Sequence, residues 1–197
     1  MARRQGSKGE ETAKEIRKAA LRLFASQGYA AVSMRQIAKE VGVQVGALYL
    51  YTPDKQSLLA DLMVEHLEAL LAAWTEAGVE GNPVERLQGF AVFHIRYHMT
   101  RVDEVFIAYM ELRNLEPENF AKVERLRRLY EGILEDIVLA GERDGVFRVE
   151  DSRITTLALI AMLTGVNTWY RAGGRLEPEA IERMYCEMAL GSVGATQ

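Results

Sequence analysis

Two sets of residues in this chain have types and spacings that chemistry could use. The first is His94 and His98, four residues apart, a spacing that brings two imidazoles onto one helix face where they could share a metal ion. No third ligand accompanies them. The positions three residues before His66, His94 and His98 are Met63, Ala91 and Ile95, so the Glu-x-x-His pattern of di-iron bundles is missing. The expected reading is a pair of core or pocket histidines, with no metal and no cofactor. The chain has no phosphate-binding loop and no GxSxG nucleophile turn. Its one cysteine, Cys186, lies on an apolar helix pattern and reads as a packing residue in a reducing compartment. The second set is Arg35, Gln44, Val45, Gly46, Ala47, Tyr49, Tyr51 and Lys55. Gln44 can hydrogen-bond adenine, and Val45 or Ala47 can touch a thymine methyl. Arg35 can reach a guanine edge or a phosphate, and the two tyrosines and Lys55 suit phosphate oxygens.

These groups need two short helices set at an angle, and the local sequence supplies them. Ser33 with Gln36 three residues on forms a capping box that opens a helix over 34–41. Gly42 ends it, since a residue without Cβ takes the positive φ of a sharp corner. Val43 is expected to plug the small core. A second helix, VGALYLY, follows from Gln44 until Pro53 stops the chain. This is helix–turn–helix spacing, in which the second helix enters the DNA major groove. Asp54 stands at the head of the next helix, whose free N–H groups are expected to meet a further phosphate. A supporting helix over 11–26 places Ile16, Ala20, Leu21, Leu23 and Phe24 at helical spacing, and Gly28 ends it.

Beyond this unit, helical patterns run from about 53 to 78, 84 to 101, 103 to 113 and 117 to 144. A further helix capped by Asp151 extends to about 171, and a last one spans 177 to 190. No strand pattern or repeat interrupts them. The expected class is all-α, with about nine helices. Charge divides the same way. Residues 1–55 hold ten Lys+Arg against five Asp+Glu; residues 56–197 hold fourteen against twenty-three. A basic head on an acidic body points to a polyanion partner for the head alone. The expected organisation is a disordered basic arm over 1–10, a DNA-binding domain over 11–55, and an effector-binding and dimerisation domain over 56–197. No apolar run is long enough for a membrane span, and no signal-peptide pattern is present, so a cytoplasmic protein is expected.

The stretch AALRLFASQGYAAVSMRQIAKEVGVQVGALYLYTPDKQSLL resembles the N-terminal domain of the TetR family of bacterial transcriptional repressors. Phe24, Gly28, Ser33, Ile37, Ala38, Gly42, Val43, Gly46, Leu48, Tyr49, Lys55 and Leu58 carry the likeness. It implies base contacts from Arg35 and the Val45–Gly46–Ala47 front, and backbone contacts from Tyr49, Tyr51 and Lys55. Gln44, Val45 and Thr52 depart from the usual pattern, so the operator sequence is not implied. The segments MELRNLEPENF, GERDGVFR and NTWYRAGGRLEPEAIE are similar to a subgroup whose effectors are acyl-CoA thioesters. Such a ligand needs an apolar tunnel and a cationic, stacking end. Phe90, Phe93, Phe106, Tyr109, Met110, Met162 and Trp169 would wall the tunnel. Arg113, Arg171 and Arg175 would meet phosphates, and Trp169 or Tyr170 would stack on adenine. The resemblance also implies a homodimer through the last two helices, with Leu157, Ile160, Leu163, Met184 and Met188 at the interface, on a pseudo-palindromic double-stranded operator. The reading from another class is a helical small-molecule-binding protein or enzyme without DNA contact.

Overall fold

A computed structural model describes residues 3–195, with side-chain burial from residue 9 onward. Among the described residues there are ten α-helices, two 3-10 turns and no strand. The chain forms two compact units, one of residues up to 67 with 103–125, the other of residues 68–102 with 126 onward.

The first unit opens with α1 (Arg3–Gln27). The helix therefore runs through most of the 1–10 segment expected to be a disordered arm; Met1 and Ala2 lie outside the described residues. Gly28, at φ 81°, ends α1 and admits a 3-10 turn, Tyr29–Ala31. Next come α2 (Met34–Val41) and α3 (Val45–Leu48). Both halves of the Ser33–Gln36 capping box are made, and Gly42 takes the left-handed corner at φ 75°. Ile16, Ala20 and Phe24 of α1 are buried, as are Ile37 and Ala38 of α2 and Leu48 of α3. Val43 is only half-buried, and Leu48 takes the role expected of it. Only one turn of VGALYLY is α-helical; Tyr49 to Tyr51 continue as a turn. The unit is completed by the start of α4 (Lys55–Ala77), by α6 (Val102–Met110) with the 3-10 turn Leu112–Asn114, and by the start of α7 (Pro117–Arg143).

The second unit takes the rest of α4 and α7 with α5 (Pro83–Met99), α8 (Ser152–Thr164), α9 (Val166–Trp169) and α10 (Pro178–Ser192). Asn82 and Glu85 form a second complete capping box at the head of α5. Leu87, Phe90 and Ile95 of α5, Leu134, Ile137 and Val138 of α7, Leu159 and Leu163 of α8 and Ile181 of α10 are buried. The DGVF turn after α7 folds Phe147 back over Gly141, where a Cβ would lie 1.9 Å from the ring. The helix expected to run unbroken to about 171 instead stops at Thr164. The Thr168 hydroxyl donates to the Gly165 carbonyl at 2.8 Å, and Gly165 contributes no side chain to hold a helix together. Beyond this break the chain makes only the single turn α9.

Candidate functional site

In the first unit the capping box and the Gly42 corner fix α3 against α2 and leave its front outward. Gln44 stands at the N-cap of α3, exposed, and its carboxamide makes no capping bond. Val45 and Ala47 are half-buried, Gly46 is exposed, and a Cβ added there would meet nothing. Arg35 projects into solvent from the first turn of α2. Tyr49 and Tyr51 are exposed, and between them Leu50 is 82% exposed, the most open large apolar side chain described. Sequence reasoning passed over Leu50 as one more residue of a helix; the signal was the LYLY alternation, which cannot put both residue types inside. The expected DNA set thus lies on α2, on α3, in the turn after it and at the start of α4, exposed or half-buried, with two departures from expectation. Lys55 is not a free phosphate ligand: its ammonium donates to the carbonyls of Tyr29 and Val32 at 2.9 and 2.8 Å and lies over the Tyr29 ring. One of its three donors is left for an outside acceptor. The N-terminus of α4 is also occupied, since the Ser57 N–H donates to the Asp54 carboxylate at 2.7 Å. That charge already satisfies the helix end and works against a phosphate there.

The same unit contains a polar joint that the sequence did not reveal. The buried Glu111 carboxylate accepts the Tyr29 N–H at 3.1 Å and a bond from the Asn114 carboxamide. Gln56 donates to the Tyr29 hydroxyl at 3.0 Å and to the Asn114 carbonyl, and accepts the Glu116 N–H at 3.0 Å. Burial pushes the Tyr29 hydroxyl above its usual range, with the Gln56 bond opposing and Asp54 and Glu116 adding to the rise.

The residues expected at the effector divide between the units. Phe106, Tyr109 and Met110 lie on α6 and Arg113 in the turn after it, all in the first unit; Phe106, Met110 and Arg113 are exposed. Phe90, Phe93 and Met162 belong to the second unit. Phe90 is fully buried, and Phe90 and Phe93 both meet Trp74 edge-on at 5.2 Å. Trp169, Tyr170 and Arg171 do come together. With Gly174, Arg175, Leu176 and Ile181 they line a pocket of about 310 Å³. His94 and His98 are core residues bonded within the protein, and no cluster of three metal-ligating side chains occurs among the described residues. Of the expected interface residues, Ile160 and Leu163 are 5% and 0% exposed within the protomer and offer no surface. Leu157, Met184 and Met188 are exposed, and Ile154, which the sequence reading omitted, is 67% exposed. They form outward apolar stripes on α8 and α10, spaced at three and four residues.

The comparisons with known proteins agree with this arrangement. Residues 16–62 match the model of bacterial regulatory proteins of the tetR family, and residues 80–193 match the tetracyclin repressor-like C-terminal domain. The chain belongs to the TetR family. The HTH-type transcriptional repressor KstR2 of Mycobacterium tuberculosis is 26% identical over 182 residues, 91% of each chain. A tetR-family regulatory protein from Rhodococcus RHA1 is 30% identical with a TM-score of 0.88, covering 94% of this chain and 98% of that one. AibR, solved with isovaleryl coenzyme A and operator DNA, is 26% identical with a TM-score of 0.82, over 90% of this chain and 97% of that one. As a TetR-family protein the chain is a ligand-responsive, DNA-binding transcriptional repressor, not an enzyme. It acts as a homodimer on operator DNA and answers to a small-molecule effector. Among the described residues no helix is long and apolar enough to cross a membrane.

Proposed function

We propose that this TetR-family repressor is cytoplasmic, that it reads its operator through Arg35, Gln44, Val45, Gly46 and Ala47, and that it is released by an acyl-CoA thioester. Residues 11–55 serve DNA and residues 56–197 serve effector and dimer. Tyr49, Tyr51 and the remaining donor of Lys55 hold the phosphate backbone, and Leu50 offers an apolar contact beside them. Ile154, Leu157, Met184 and Met188 form the homodimer face, because two neighbouring helices do not leave such side chains open without a partner.

The observation that carries the effector reading is the pocket beside α9. Two guanidiniums, Arg171 and Arg175, stand with Trp169 and Tyr170 around about 310 Å³, the lower end of small-molecule site volumes. Guanidiniums bind phosphates and indole rings stack on purines, so this wall suits the nucleotide end of coenzyme A. The isovaleryl coenzyme A held by AibR supports the same class. Coupling runs through the Glu111 joint, which ties the segment after α6 to Tyr29 of the head. An effector that changes this segment shifts the head between operator-competent and released states, and a differential affinity of ~1–3 kcal/mol weakens operator binding ~5–150-fold.

The test is a mobility-shift titration on the chain's own upstream region at stated salt, followed by addition of isovaleryl-, octanoyl- and phenylacetyl-CoA to the preformed complex. Specific binding and release by at least one thioester is expected. Binding without release by any of them overturns the acyl-CoA assignment and leaves the repressor intact.

A further inference from the structure

The second unit buries several polar side chains, and of those left without a hydrogen-bond partner only the Asn167 carboxamide, among the described residues, is unpaired at both a donor atom and an acceptor atom. His94 and His98 of α5 lie in the core with their rings stacked at 3.8 Å. His94 Nδ1 meets the Tyr130 hydroxyl at 3.1 Å, and Nε2 meets the Thr164 hydroxyl at 3.0 Å. His98 Nδ1 donates to the His94 carbonyl at 2.7 Å. Thr164 is the last residue of α8. Three residues on, across the Gly165 break, stands Asn167 of α9. Both its carboxamide nitrogen and its carboxamide oxygen are buried, and neither has a hydrogen-bond partner. A buried amide unpaired at both ends is a standing destabilisation that folded proteins rarely keep. It stands on α9 two residues before Trp169, which with Tyr170 lines the pocket that Asn167 itself does not line.

An unpaired carboxamide presents a donor and an acceptor side by side. The group that satisfies both is another amide, offering its carbonyl and N–H in the reverse order. In coenzyme A two secondary amides lie on the arm between the nucleotide and the thioester. We propose that Asn167 is the effector's amide receptor: it pairs with an amide of the pantetheine arm, while the Trp169–Arg175 pocket takes the nucleotide end. The Gly165 break lets α9 yield as the arm enters. Binding then pairs both carboxamide atoms. This rests on the acyl-CoA reading and adds the residue that recognises the middle of the ligand.

The test uses the intact homodimer and compares wild type with Asn167→Leu and Asn167→Ala by titration calorimetry, mobility shift and thermal melting. Two probes are used: isovaleryl-CoA, and adenosine 3′,5′-bisphosphate, which has no pantetheine arm. Both variants should melt at or above the wild-type temperature and bind operator within twofold of wild type. Their affinity for isovaleryl-CoA should fall at least tenfold, with the nucleotide probe bound as in wild type. Equal losses for both probes, or melting well below wild type, assign Asn167 a structural role and overturn the proposal. So does unchanged isovaleryl-CoA affinity. If wild type binds none of the three thioesters used in the release screen, the effector assignment and this inference fall together. Wild-type binding with indifferent variants removes the inference alone.

Discussion

Lys55 shows how a residue's type and place can be legible while its main bond is not. At the end of the helix–turn–helix a lysine suits a phosphate, yet here its ammonium closes the Tyr29–Val32 turn. Its removal therefore acts on stability as well as on DNA. Lys55→Ala should lose about 1–2 kcal/mol of head stability from the two charge-assisted bonds, seen as a lower denaturant midpoint with operator absent. Arg35→Ala has no such internal bond to lose. It should leave the melt unchanged and relax base preference at one position by about 1–3 kcal/mol in a competition mobility shift. Cys186 gives a pH signature. Burial pushes its thiol up, with Glu182 and Glu187 adding to the rise. The native state thus holds the proton more tightly than the unfolded state does. Its contribution is fully present below the unfolded thiol's range, about pH 8.5, and is lost as pH rises beyond it. Thermal melts between pH 7.5 and 10 should show a steeper loss for wild type than for Cys186→Ala.

At the scale of elements, local rules carried far. Two neighbouring side chains are enough to announce a helix start, so the Ser33–Gln36 box and the Gly42 corner could be read from the sequence and stand as read. The stop after Thr164 could not be read, because the string TTLALIAMLTGVNTWY runs on with helical apolar spacing and a lone glycine does not by itself end a helix, as Gly132 inside α7 shows. The division of α8 into inner and outer faces was hidden for a related reason. Ile154, Leu157, Ile160 and Leu163 are all apolar, and only the packing of α5 and α10 decides which of them turn inward. Phe147 on Gly141 is a nearer contact, six residues apart, set by the turn after α7. Gly141→Ala gains helix propensity but drives a methyl into the ring, and the second effect is larger. The variant should lose about 1–3 kcal/mol net in chemical denaturation, and adding Phe147→Leu should recover part of the loss.

For the molecule as a whole, the apolar stripes set how it assembles. Operator affinity in a homodimer is the product of two half-site contacts, so losing the partner costs far more than any single DNA contact. Ile154→Glu with Met188→Glu places charges on both stripes without touching the core. The double variant should keep its helical circular dichroism, sediment as a monomer at micromolar concentration, and lose at least a hundredfold in operator affinity. A dimer that persists would move the interface elsewhere on the surface.

The first compact unit is discontinuous in sequence, since residues 103–125 belong with residues up to 67. Anyone building a hybrid sensor, with this reading head on another protein's sensing body, meets that fact at the cloning step. A splice after residue 67 would leave behind Glu111, Asn114 and the Glu116 N–H, the partners of Tyr29 and Gln56. The transplantable module is two pieces of gene. A hybrid carrying both should repress and respond, whereas one carrying only the first should bind its operator and ignore the inducer.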